Sequence, residues 1–263
     1  MPEALIYIFV FAFFACVGSF LNVCIRRIPE GSSIVSPPSS CPVCQSSIKF
    51  YDNIPILSYL ALLGRCRKCK TRISPEYPLV EALMGLLGIA LLIKFGVTPR
   101  LFIWGLFTSA LVAISFIDLR HRIIPNVISL PGIPVGVILV LYILYPDVKG
   151  ALLHSGLGIV LGGGILYAVA ELYLRVTGNE GMGYGDVKLL AMIGAFIGFK
   201  GVFFTLLSGS IIGSIIGGTF MLIKGKDSKY AIPFGPFLSL GALSYIFVGD
   251  FVIAWYINTL WVQ

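Results

Sequence analysis

Charge is scarce in this sequence. Asp, Glu, Lys and Arg together make up 12% of its 263 residues, against 57% hydrophobic, about half the charged share of a soluble domain. So little charge cannot cover a globular surface with polar groups. Lipid must therefore be part of the solvent, and each hydrocarbon crossing needs about 20 apolar residues. Acidic residues are rarer than basic ones, 12 against 19, for a net charge of +7. That excess invites a nucleic-acid partner, but no basic run interleaved with aromatics lies outside the apolar segments, so none is expected. The start, Met1-Pro2-Glu3, lacks a basic n-region, and the apolar stretch after it is longer than a signal h-region. Leu5–Cys24 is therefore read as a retained helix. Internal repeats and a Gly-rich nucleotide-binding fold are also missing.

What is present is a succession of apolar runs. Eight spans are expected: Leu5–Cys24, Leu79–Phe95, Leu101–Ile117, Val127–Tyr145, Ala151–Leu174, Val187–Phe199, Gly201–Ile223 and Phe234–Ile257. The sixth is short for a full crossing. Residues 25–78 form the one long polar stretch. The reading is an all-α integral membrane protein, a polytopic bundle of about eight transmembrane helices. It divides into a first helix (1–24), a loop (25–78) and a seven-helix membrane domain (79–263). Fifteen of the 19 Lys and Arg residues fall in the long loop and in the connections sharing its face. The positive-inside rule makes that face cytoplasmic and puts both termini on the other side. Glycines four apart, Gly158 and Gly162, then Gly209, Gly213 and Gly217, read as helix-packing positions.

The cytoplasmic loop carries Cys41-Pro-Val-Cys44 and Cys66-Arg-Lys-Cys69, with twenty-one residues between them. Two such knuckles supply the four thiolates of a structural tetrahedral zinc site, and a reducing cytosol argues against disulfides. Four thiolates leave no open coordination position, so the metal is expected to organise the loop. Unmetallated turns or a redox dithiol are the alternatives. Cys16 and Cys24 read as small apolar residues.

Ionisable side chains in or beside membrane spans are costly and tend to be functional. The candidates are Glu76, Glu81, Asp118, Glu171, Glu180 and Asp186. Asp118 ends the third span in Phe116-Ile-Asp-Leu-Arg-His-Arg-Ile-Ile-Pro-Asn126; Asp186 opens the sixth in Gly181-Met-Gly-Tyr-Gly-Asp-Val-Lys188. The predicted topology puts both on the cytoplasmic side at similar depth. Facing carboxyls share a proton, and such a pair can activate water and protonate a peptide carbonyl. A helix N-terminus favours charge on Asp186, and a helix C-terminus favours the proton on Asp118. Taken singly, Asp118 could pair with Arg122 and Asp186 could cap its helix. Glu171 is explained by an ion pair with Arg175, and His121 and His154 are given no role.

Taken in order, these motifs resemble the type IV prepilin peptidase family, the prepilin leader peptidase/N-methyltransferases. Gly18-Ser-Phe-Leu-Asn-Val, Arg27-Ile-Pro29, the double CxxC, Asp52-Asn-Ile-Pro55, Ile73 to Glu81, the two aspartate motifs (the second a GxGD signature) and Pro233-Phe-Gly-Pro-Phe237 all carry the likeness. The resemblance implies cleavage of prepilin or pseudopilin leaders at the cytoplasmic face of a bacterial inner membrane, serving type IV pili or type II secretion. Asp118 and Asp186 fall on the catalytic aspartates. It further implies methylation of the new N-terminus using S-adenosylmethionine, for which Glu81, Asn22 and Arg27 are the candidate binding residues. Partners would then be pilin-like chains with an apolar N-terminal helix, and membrane lipid. A proton-coupled transporter is the rival reading, since carboxylates and a Gly-interrupted helix also serve transport.

Overall fold

The computed structural model describes residues 2–144, 147–178, 183–224 and 233–261; Glu180 and the predicted end of the fourth span, Tyr145, lie outside them. In hydrocarbon every backbone N–H and C=O must be paired within the chain, and helices do this locally. Among the described residues the long elements are all helical. They are α1 (Pro2–Arg27), the short α2 (Leu57–Ala61), α3 (Glu76–Phe95), α4 (Pro99–His121), α5 (Asn126–Leu139), α6 (Val148–Thr177), α7 (Tyr184–Lys224), α8 (Gly235–Ser244) and α9 (Asp250–Trp261). A π-helical turn, Val140–Leu144, prolongs α5, and another, Tyr245–Gly249, joins α8 to α9. Among the described residues five stretches are long and apolar enough to cross a membrane, with two shorter apolar ones at Asn126–Tyr142 and Gly235–Gly249.

The chain forms two compact units, Met1–Ala113 and Ile114–Gln263, with the boundary inside α4. In the first, α1 lies along α3. A β-carbon at Gly18 would stand 2.8 Å from the Glu81 Cα, and Gly85 leaves room for the Phe11 ring. The segment between these helices is nearly coreless: from residue 28 to 78 only Cys41 and Gly64 are buried.

The second unit is built around the first part of α7. The expected spans Val187–Phe199 and Gly201–Ile223 are two limbs of that one helix, interrupted at Gly198, where φ is 67° and ψ is −176°. Glycine tolerates this left-handed φ without the penalty a β-carbon brings. The His154 imidazole occupies the space where that β-carbon would be. A β-carbon at Gly162 would meet the Leu190 carbonyl oxygen at 2.5 Å and Val202 Cγ2 at 3.4 Å. Both limbs therefore face α6, and the second doubles back along the first. The first limb, about 21 Å long over residues 184–197, is short of a full crossing. Its Leu189, Leu190, Ile193 and Ala195 expose no surface, the pattern of a helix enclosed on all sides. Gly158 and Gly194 meet backbone to backbone, as the small-residue spacing led one to expect. Gly209 and Gly213 likewise pack on Phe237. The predicted Glu171–Arg175 ion pair is formed at 2.8 Å.

Candidate functional site

Asp118 lies in the last turn of α4 and is buried, 5% exposed. Its partner comes from 117 residues further on: the Gly235 N–H donates to Asp118 Oδ2 at 3.0 Å. A β-carbon at Gly235 would stand 2.7 Å from that oxygen. Asp186 is the third residue of α7, and its Oδ1 is buried without a hydrogen-bond partner among the described residues. The two carboxyls, 68 residues apart in sequence, are close enough for the charge of Asp118 to act on Asp186. A buried carboxyl oxygen left unpaired costs about 1–3 kcal/mol, and active sites tolerate such a group because water or substrate completes it. The member expected to hold the proton, Asp118, is also the one that accepts a backbone amide, a contact the helix ends alone did not predict.

Two further contacts tie the aspartate motifs together, and a third ties the first of them to Gly235. Ile124 packs against Gly185, where a β-carbon would be 2.9 Å from Ile124 Cβ, and reaches toward Gly235, where it would be 3.3 Å from Ile124 Cδ1. Lys188 Nζ donates to Asn126 Oδ1 at 2.9 Å. A cavity of about 310 Å³ adjoins the start of α8, lined by Ser210, Gly213, Ser214, Gly217, Phe234 and Phe237. Sequence reasoning gave Gly235, Ile124, Asn126 and Lys188 no role; their signal was membership of the quoted motifs.

In the first unit the four cysteines converge. Their sulfurs lie within 4.8 Å of one another, with Cys41–Cys69 at 3.7 Å and Cys44–Cys66 at 3.9 Å. Each knuckle is a tight hairpin. Cys41 N donates to Ser46 O and Gln45 N to Cys41 O; Cys66 N donates to Thr71 O and Lys70 N to Cys66 O. The residue after each second cysteine, Gln45 or Lys70, has φ near +60° (56° and 59°), so the two turns share one geometry. The Ser46 hydroxyl and backbone push the Cys44 thiol down to about 6, and backbone N–H groups of Cys69 and Lys68 lower Cys66. The cluster can hold a metal ion. Arg67 clamps Asp52 through Nε and Nη2, the shortest contact being 2.6 Å, which ties the second knuckle to the turn Phe50–Asp52.

The remaining candidates lie where this loop meets the helices. Glu81 Oε2 accepts from Ile56 N–H at 2.8 Å, and Asn22 Nδ2 donates to Tyr77 O at 3.0 Å. Glu81 and Asn22 are both buried. Ile56 itself has φ 63° and ψ −52°, with Leu57 N bonded to Pro55 O at 2.6 Å. That is a γ-turn of the strained hand, costly for a β-branched residue, and Glu81 anchors it. Arg27 is drawn away from this pair: its guanidinium donates to Ser33 O at 2.9 Å and Pro37 O at 2.7 Å, holding the start of the loop.

Two family models match the chain. Residues 12–95, which include the four cysteines, Asn22, Arg27 and Glu81, match the bacterial Peptidase A24 N-terminal domain. Residues 105–218, which include both aspartates, match the type IV leader peptidase family. The prepilin leader peptidase/N-methyltransferase of Stutzerimonas stutzeri is 36% identical over 265 aligned positions, covering 92% of this chain and 90% of that protein. The chain belongs to the type IV leader peptidase family. Another member with the same description, from Aeromonas salmonicida, is 35% identical over 95% of this chain and 94% of its own length. One from Myxococcus xanthus is 40% identical over 83% of this chain and 64% of its own length. No solved structure matches. None of the matches supports proton-coupled transport.

Proposed function

We propose that this leader peptidase family member is a multi-pass inner-membrane enzyme that cleaves the leader from prepilins or pseudopilins, with Asp118 and Asp186 as paired acid and base, and then methylates the new N-terminus. The observation that carries the reading is the meeting of two distant aspartate motifs, the buried Asp118 and the half-buried Asp186 with its enclosed Oδ1, inside the segment that matches the peptidase family. The ionised carboxyl takes a proton from water as its oxygen attacks the scissile carbonyl carbon. The protonated one donates to the carbonyl oxygen, and collapse of the tetrahedral species passes a proton to the leaving amine. In this reading the ionised member is Asp118, which accepts the Gly235 amide, and the protonated member is Asp186, though the pair titrates as a unit. The substrate's apolar N-terminal helix would enter beside Phe234 and Phe237, whose cavity adjoins Gly235. Both termini would then be periplasmic and the cysteine loop cytoplasmic, following the Lys and Arg distribution.

The Gly235→Ala variant is expected to cut the cleavage rate at least about tenfold, because its methyl group would displace the Asp118 carboxyl and small misplacements of reacting groups are costly. Steady-state kinetics on a purified prepilin would check this, and an unaffected kcat would remove Gly235 from the site.

The cysteine cluster fits zinc: a tetrahedral site with Zn–S bonds of about 2.3 Å has sulfur–sulfur edges of about 3.8 Å, close to the two separations above. S-adenosylmethionine would supply the methyl group. Glu81 is the candidate acceptor for its ribose hydroxyls, with Asn22 on the facing helix, while Arg27 holds the start of the loop through Ser33 and Pro37. Mass spectrometry of a prepilin incubated with enzyme and methyl donor separates the two activities. Glu81→Gln is expected to lower methylation at least about tenfold while the leader is still removed. Normal methylation would send Glu81 back to anchoring Ile56.

A further inference from the structure

Helix α5 and the first limb of α7 run side by side in a fixed register. Gly132 of α5 receives Met192, and Gly136 receives Phe196, with a β-carbon at Gly136 2.7 Å from that ring. Each pair is sixty residues apart. At the end of this seam, where the carboxyls lie, Lys188 Nζ bonds Asn126 Oδ1, sixty-two residues back. The chain between Asp118 and α5 is thereby held against the helix that carries Asp186. Ile124 sits in this segment with its Cβ on Gly185, the residue before Asp186, and its Cδ1 toward Gly235, the residue that donates to Asp118.

We propose that Ile124, locked in place by the Lys188–Asn126 hydrogen bond, is the spacer that sets the separation of the two carboxyls. It is a positioning residue for cleavage, and the inference rests on the aspartic peptidase reading above. Ile124 is an unreactive side chain, so its contribution is volume. With the wedge removed, Gly185 and Gly235 can close on the space, and the carboxyls they flank move with them. Lys188 acts by geometry. Two residues along a helix is about 200° of rotation, so its ammonium and the Asp186 carboxyl leave the helix on different faces. What Lys188 holds is Asn126, the first residue of α5, one residue beyond the buried Pro125.

The test uses the full-length enzyme in detergent or nanodiscs, with prepilin for cleavage and pre-cleaved pilin for methylation. Ile124→Ala is expected to lower kcat for cleavage about a hundredfold, the scale of a misplacement of about 1 Å, with KM held within about twofold. Ile124→Val, which keeps the branched Cβ against Gly185 but lacks the Cδ1 methyl that reaches toward Gly235, should recover only part of that loss. Asn126→Ala and Lys188→Met should each lower kcat about tenfold, and the double variant should be no slower than either, because they break one bond. Methylation of pre-cleaved pilin reports that the chain is folded. The proposal is overturned if Ile124→Ala keeps kcat within about twofold, or if its defect lies in KM alone, which would make Ile124 a substrate contact. Should Ile124→Ala lose methylation as well, the Asn126 and Lys188 variants decide: unchanged kcat in both, or multiplied effects in the double variant, overturns it. Asp118→Asn and Asp186→Asn in the same assay keep the two readings apart. Cleavage retained in those variants defeats the aspartic mechanism, whereas their inactivity beside a normal Ile124→Ala defeats only the spacer.

Discussion

Leader cleavage is expected to fall by at least about a thousandfold when either Asp118 or Asp186 is replaced by asparagine, near the upper end of what one general acid or base supplies. Asparagine keeps the volume and the carbonyl oxygen, so the Gly235 amide can still bond at position 118. What it removes is the ability to gain or lose a proton. Because one proton serves the pair, the double variant should be no less active than either single one, the non-additivity of groups that act as a unit. Single-turnover cleavage of a prepilin, read on a gel, measures all three. Methylation of pre-cleaved pilin should persist in each variant and exclude misfolding. Cleavage within about tenfold of the parent in either variant would return that aspartate to a structural role.

The second large effect concerns the cysteine loop. Between residues 28 and 78 only Cys41 and Gly64 are buried, so this stretch has no apolar core of its own. Small units of this kind rely on a metal or a cross-link, and structural zinc contributes on the order of 10 kcal/mol in zinc-finger peptides. Replacing Cys41 or Cys66 by serine should abolish stoichiometric zinc by elemental analysis. The loop should then become the first site of limited proteolysis, and methyl transfer should be lost. The Arg67–Asp52 fork is exposed on the arginine side and cannot substitute, since exposed ion pairs contribute about 0–1 kcal/mol. A serine variant that is zinc-free yet protease-resistant and active in methyl transfer would show that the knuckles fold without metal.

The limits of the sequence reading follow from where information lies along a chain. The helix ends supplied the only local reason to place the proton on Asp118; the Gly235 amide that bonds this carboxyl is contributed from 117 residues away. Arg27, grouped with Glu81 and Asn22 by motif, is held by the Ser33 and Pro37 carbonyls, because the chain after α1 turns back over it. The sixth and seventh spans were separable by their glycine junction. That they double back against one face of α6 depends on Gly162 meeting Leu190 and Val202 together.

By itself the sequence determined the class of solvent, the helical architecture and the residue types able to do chemistry. Apolar length and the need to pair backbone groups in lipid are local properties. CxxC spacing and a carboxylate at a span's edge are visible in a few residues. Tertiary structure alone decided which groups meet: Gly235 with Asp118, Ile124 between two glycines from different helices, and Lys188 with Asn126. Those contacts arise from register between packed helices, which depends on side-chain fit summed over whole faces and is not carried by any one segment.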